Sequence, residues 1–139
     1  MESAQVKKPR IGRPISKTDI YKDLVDISLL INEIIPLIPK WAQSSWGFEI
    51  VKSISEAFSH FSLSYYKSYT NRIDEGKYLV SSLEKIKFIA RILVFSGLIS
   101  KDKASIEKYK ERMCIRIAAL DTQIDKWNAY LNKVDSKDA

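Results

Sequence analysis

Four stretches of this chain space their apolar residues at alternating steps of four and three, and that periodicity restricts the fold more than any other feature. The first runs through Ile20, Leu24, Ile27, Ile31 and Ile34. The second takes Ile50, Ile54, Ala57, Phe61 and Tyr65, and the third Leu79, Leu83, Ile86, Ala90 and Leu93. The fourth extends from Ile106 through Tyr109, Met113, Ile117, Leu120, Ile124 and Trp127 to Leu131. Such steps place all members of a set along one face of an α-helix. No alternating pattern of the strand type competes with them. Four Gly and four Pro in 139 residues also supply too few turns for an all-β fold.

The breaks between the stretches fit helices. Ser16 or Thr18 is placed to cap the first, with Asp19 in its opening turn. Pro36 and Pro39 end it, since proline lacks the N–H donor and clashes with the preceding turn. Residues 40 to 47 read as a connection, with Ser44 or Ser45 capping the second helix and Trp41 and Trp46 placed either to cover the bundle end, the favoured reading, or to stack on bases. Residues 70 to 76, rich in Asn, Asp and Gly, read as a loop. Gly97 fits a helix stop. Ser100 is then placed to cap the fourth helix, with Asp102 near its positive end. That last helix runs about 30 residues, or ~45 Å. The expectation is all-α: an antiparallel, up-down-up-down four-helix bundle over residues 16–134, with a flexible basic arm at 1–15 and a tail at 135–139.

Charge is uneven. Of the formal net charge of +6, the segment from residue 3 to residue 18 holds +5, as Lys7, Lys8, Arg10, Arg13 and Lys17 without an acid. A basic arm on a nearly neutral body suits contact with a polyanion, and equally a solvated tail with no partner. The same arm resembles no secretory signal, because no apolar core follows its charges. The longest apolar run, residues 88 to 95, contains Arg91 and falls short of the roughly 20 residues that span a bilayer. A single cysteine, Cys114, forbids an internal disulfide. A cytoplasmic protein without membrane contact is expected.

Catalytic groups are sparse. His60 is the sole histidine, and with Cys114 on another helix it cannot supply the three or four ligands of a zinc site. His60 reads as a helix histidine, partly buried or at an interface, and Cys114 as a small core residue. Residues 53 to 55, Ser-Ile-Ser, lack the arginine that helical nucleases place just before a catalytic histidine. The Gly-Arg-Pro-Ile-Ser run at residues 12 to 16 is no phosphate loop, and no Glu-x-x-His pair exists for a di-iron centre. No enzyme, metal or cofactor is expected.

Two positive features remain. The third helix carries Phe88, Ile89, Ile92, Val94 and Phe95 outside its seam, more apolar surface than one bundle core uses. A second interface follows, most simply with copies of the same chain; the alternative is a tightly packed monomer with a large core. The third helix also carries Lys77, Lys85, Lys87 and Arg91, the last two four apart amid apolar neighbours. They serve either as a patch for phosphates or an acidic partner, or as partners of acids on a neighbouring helix with their stems snorkelling to water. The fourth helix interleaves Lys101, Lys103, Lys108, Lys110, Arg112 and Arg116 with Glu107 and Glu111, a solvated face.

Over roughly residues 22 to 131 the chain resembles the accessory variability determinant of diversity-generating retroelements. That family belongs with the four-helix-bundle proteins of 23S rRNA intervening sequences. The resemblance rests on IIPLIPK at 34–40 with Gly47 soon after, on LEKIKFIARILVFSGLIS at 83–100, and on the long fourth helix with Trp127 near its end. It implies a barrel-shaped homopentamer that binds nucleic acid with little sequence preference. It further implies association with a reverse transcriptase and its template RNA, in support of mutagenic cDNA synthesis. The family's basic pair falls on Lys87 and Arg91. The expected binding residues are therefore Lys85, Lys87 and Arg91, joined by Lys7, Lys8, Arg10 and Arg13 of the arm. The alternative is a structural or regulatory bundle that binds only a protein partner.

Overall fold

The computed structural model describes residues 18–66 and 69–138 of the chain. Among these residues there is no strand, and four helices carry the fold. Helix α1 spans Asp19–Ile34. Helix α2 spans Phe48–Tyr66 and is led in by a turn at Lys40–Ala42 and a π-helical stretch at Gln43–Gly47. Helix α3 spans Tyr69–Phe95 and α4 spans Lys103–Asp138. The arm at 1–15 lies outside the described residues. Helix α4 reaches Asp138, so the stretch expected as a tail carries the helix's last turn.

Each seam is buried where the periodicity places it. Leu24, Ile27, Ile31, Ile50, Leu83 and Leu120 are fully enclosed in one core to which all four helices contribute. Helix α2 packs on α3, α3 on α4, α4 on α1 and α1 on α2. Thr18 caps α1, its Oγ1 accepting from the Tyr21 amide at 3.4 Å.

Three junctions differ from the sequence expectation. First, the connection at residues 40–47 is helical. The Pro39 carbonyl accepts from the amides of Ala42 and Gln43, both at 2.9 Å, so α2's lead-in starts at Lys40. Ser45 and Ser44 do not cap; their hydroxyls donate back to the carbonyls of Trp41 at 2.7 Å and Lys40 at 3.2 Å. Such back-bonding competes with the regular i to i−4 ladder, which is where the π-helical register sits.

Second, residues 70 to 76 belong to α3. Ile73 is buried against Leu131 and Val134 of α4. A Cβ on Gly76 would stand 3.0 Å from Leu131 Cδ2 and 3.2 Å from Trp127 Cζ3. Gly76 is therefore a close-packing residue of a helix, and burial outweighs its low helical propensity.

Third, Asp102 rather than Ser100 caps α4. Its carboxylate accepts from the Ser105 amide at 3.2 Å and the Ser105 hydroxyl at 2.7 Å, which holds the Asp102 carboxyl below its ordinary range. The Ser100 amide instead donates to the Leu37 carbonyl at 2.8 Å and ties the α3–α4 turn to the end of α1. That turn needs Gly97, whose φ is +80°. Nothing lies within 4 Å of where a Cβ would stand, so only backbone strain opposes a side chain there. Gly97→Ala is expected to destabilise the fold by about 1 kcal/mol, read as a lowered midpoint in urea unfolding.

Candidate nucleic-acid and partner interface

Helix α3 presents one solvent stripe, on which Lys85, Phe88, Arg91 and Phe95 follow one another at steps of three and four. Phe88 is 59% exposed and Phe95 half exposed, whereas Ile89 and Val94 are buried in the core. Of the extra apolar residues on this helix, the bundle thus absorbs two and leaves both phenylalanines outside. The Lys110 ammonium stands 5.7 Å from the Phe95 ring centroid, a cation–π contact that brings α4's charge to the same end of the molecule. Below it, a cleft of about 420 Å³ is bordered by Lys101, Lys103 and Lys110 with Glu107 as its carboxylate.

The three basic residues expected to act together on α3 are in three different situations. Lys85 is half exposed and pairs with Glu49 of α2 at 3.1 Å. Lys87 is only 9% exposed; its ammonium contacts Asp121 of α4 and lies 3.2 Å from Glu84. The hydrogen bond to Asp121 raises the Lys87 pKa above its ordinary value, with Glu84 adding to the effect and burial opposing it. Lys87 is therefore engaged in joining α3 to α4, the neighbouring-acid arrangement, and is withdrawn from the phosphate-binding set. A residue four positions along is rotated by 40° on an ideal helix. That rotation carries Arg91 off the α4 border and onto the solvent stripe, where it makes no ion pair among the described residues. Lys7, Lys8, Arg10 and Arg13 lie outside the described residues.

On the α1–α4 side, Leu29 and Ile115 are 58% and 59% exposed and face a cleft of about 310 Å³. Two cross-helix ion pairs flank them. Arg112 grips Glu33 through both nitrogens at 2.8 and 2.7 Å, and Arg116 reaches Asp26 at 2.9 Å. The Arg112 hydrogen bonds lower the Glu33 pKa. Periodicity within α4 places these arginines on a solvated face and carries no trace of their partners on α1.

His60 of α2 meets Glu75 of α3, Nδ1 to Oε1 at 2.7 Å, and its ring lies against Tyr78. This is a helix-to-helix tie with a partly buried histidine. Cys114 is exposed rather than in the core, because Met113 beside it takes the seam position. Trp46 packs against the core, whereas Trp41 is exposed. Among the described residues no cluster of His, Cys, Asp and Glu is arranged to hold a metal, and no helix is long and apolar enough to cross a membrane.

The exposed stripe of α3 can take an anion at Arg91 and a flat apolar group at Phe88 or Phe95. The α1–α4 cleft can take apolar side chains between charges that are already paired. No protein-family model, curated protein or solved structure matches the chain.

Proposed function

We propose that this chain is a non-catalytic, nucleic-acid-binding accessory protein that acts in the cytoplasm with a reverse transcriptase and its template RNA. Its role is to support mutagenic cDNA synthesis in a diversity-generating retroelement. The observation that carries the binding half of this reading is Arg91. It is exposed, lacks an ion-pair partner among the described residues and stands between two exposed phenylalanines. A guanidinium so placed meets phosphate through its fork of donors and a base through its planar face. The polymerase half rests on the resemblance of residues 83–100, in which Arg91 falls on the family's basic pair.

The reading includes an antiparallel up-down-up-down course for the helices, supported by each helix packing on its neighbours in the chain and α1 on α4. It also includes self-assembly into a homopentamer. Exposed apolar residues occur on two separate sides, Leu29 and Ile115 between α1 and α4 and Phe88 on the α3 stripe. Two different apolar faces on one molecule suit a head-to-tail contact, which closes into a ring when the rotation allows. A ring repeats Arg91 around its circumference and so presents phosphate sites in series.

Fluorescence anisotropy with a labelled RNA tests the binding. Arg91→Glu is expected to weaken affinity about tenfold at 0.1 M salt and to reduce the salt slope by about one, with helical content unchanged. Unaltered binding by a folded Arg91→Glu chain sinks the assignment of Arg91. Copurification with the reverse transcriptase tests the partner. The second reading, an adaptor for a protein alone, is favoured by the exposed Phe48, Val51 and Phe88, and it predicts no RNA affinity at any salt.

A further inference from the structure

A third cleft lies at the opposite end of α3 from Arg91, where α1 begins and α2 ends. Its volume is about 500 Å³, within the ~300–1,000 Å³ of small-molecule pockets. Its walls are aromatic: Phe61 and Tyr65 from the last turns of α2, Trp127 and Tyr130 from α4. The rings meet edge to face, Trp127 with Phe61 at 6.2 Å between centroids and with Tyr130 at 5.7 Å. Arg72 and Lys126 supply its charge, and no carboxylate is among the described residues that line it. Asp19 lies 3.9 Å from Lys126, and Asp23 accepts a bond from Gln123 at 2.9 Å. The Arg72 Nε is buried and has no hydrogen-bond partner among the described residues. Thr18 forms part of the rim.

Aromatic walls with two cations beside them match one kind of ligand. A base offers a flat π-face to stack, and the phosphates beside it offer negative charge. An apolar peptide would satisfy the rings and leave the Arg72 guanidinium, whose Nε has no partner among the described residues, without counter-charge. The basic arm itself would add like charge to both.

We propose that this cleft seats an unpaired base of single-stranded nucleic acid, with Trp127 and Tyr130 forming the stacking wall and Arg72 and Lys126 facing the adjoining phosphates. The proposal rests on the nucleic-acid reading above and adds to it a site that senses bases, about 28 Å of helix away from Arg91. Phosphate contacts alone do not distinguish a strand with bases from one without. This cleft does.

The test measures anisotropy of the full chain with a labelled 12-residue oligouridylate and with an abasic oligomer of equal length. The wild-type chain is expected to bind the oligouridylate about tenfold more tightly, the worth of roughly one stacked base. Tyr130→Ala is expected to lose about tenfold on the oligouridylate and to leave the abasic oligomer unchanged. Lys126 is exposed and outside the core, so Lys126→Glu serves if Tyr130→Ala does not fold. It is expected to weaken the oligouridylate several-fold by removing one phosphate contact. Equal wild-type affinity for the two oligomers overturns the proposal, as does wild-type binding by either folded variant. A rise in oligouridylate affinity on deleting residues 1–15 also overturns it, because the arm would then be the occupant. In all of these outcomes the Arg91 reading still stands. Failure of the wild-type chain to bind either oligomer sinks both.

Discussion

Lys87→Glu is expected to destabilise the bundle by about 2–3 kcal/mol, whereas Arg91→Glu, one turn further along, stays within about 0.5 kcal/mol of wild type. The difference follows from where the two side chains end. The Lys87 ammonium lies between Glu84 and Asp121, and the residue is 9% exposed. Charge reversal there gathers three carboxylates at the α3–α4 seam and removes the cation that held two of them. The acids are about half exposed, so solvent screens part of the repulsion and keeps the cost below that of a fully buried pair. Arg91 has no such partners to abandon. Urea unfolding of the two single variants separates the cases, and Lys87→Glu with Asp121→Lys should recover part of the loss. A Lys87→Glu chain as stable as wild type would show that the pair does not hold the helices together.

The same pair has a pH signature. Its hydrogen bond to Asp121 raises the Lys87 pKa above 10.5, against the effect of burial. A raised pKa means that the folded chain holds this proton more tightly than the unfolded chain. The contribution is therefore complete below the ordinary lysine value and is lost as pH climbs through the raised one. Wild-type stability should fall on the alkaline side above about pH 10.5, and Lys87→Met should flatten that limb.

The helices were legible because their seams are local: Leu24, Ile27, Leu83 and Leu120 are buried where a period of 3.6 puts them. The junctions were less so. Asn71, Asp74 and Gly76 carry turn chemistry, yet Ile73 finds Leu131 and Val134, and burial against residues distant in the chain outweighs propensity. Ser100 and Asp102 are both capping residues, and only the path of the turn to Leu37 decides between them. Lys87 and Arg91 read as a pair because they share a helix face. That one faces Asp121 and the other faces water depends on where α4 lies. The aromatic cleft draws on α2, α3 and α4 and on Thr18 at the head of α1, segments whose meeting no periodicity encodes.

Mixing two monomeric variants is expected to produce a dimer that neither forms alone. Ile115→Asp removes the apolar centre of the α1–α4 face, and Phe88→Asp removes that of the α3 stripe. Both residues are 59% exposed, so each substitution leaves the single chain folded. In a head-to-tail ring every contact joins one face of one copy to the other face of the next. A copy with either face spoiled neither self-associates nor closes a ring. Light scattering should then read 16.0 kDa for each variant, against about 80 kDa for five wild-type copies. The Phe88→Asp copy keeps its α1–α4 face, however, and the Ile115→Asp copy keeps its α3 stripe. These two intact faces are complementary, and their partners' spoiled faces cannot extend the chain, so growth stops at about 32 kDa. The dimer has one contact and no ring closure, so it lacks the gain in effective concentration that closure confers and requires tens of micromolar protein to be seen. A two-fold contact predicts the opposite. If like faces met, one variant alone would remain a dimer and mixing would add no new species. Wild-type mass in either single variant rules out that residue's face as the contact, and a wild-type chain at 16.0 kDa rules out the ring altogether.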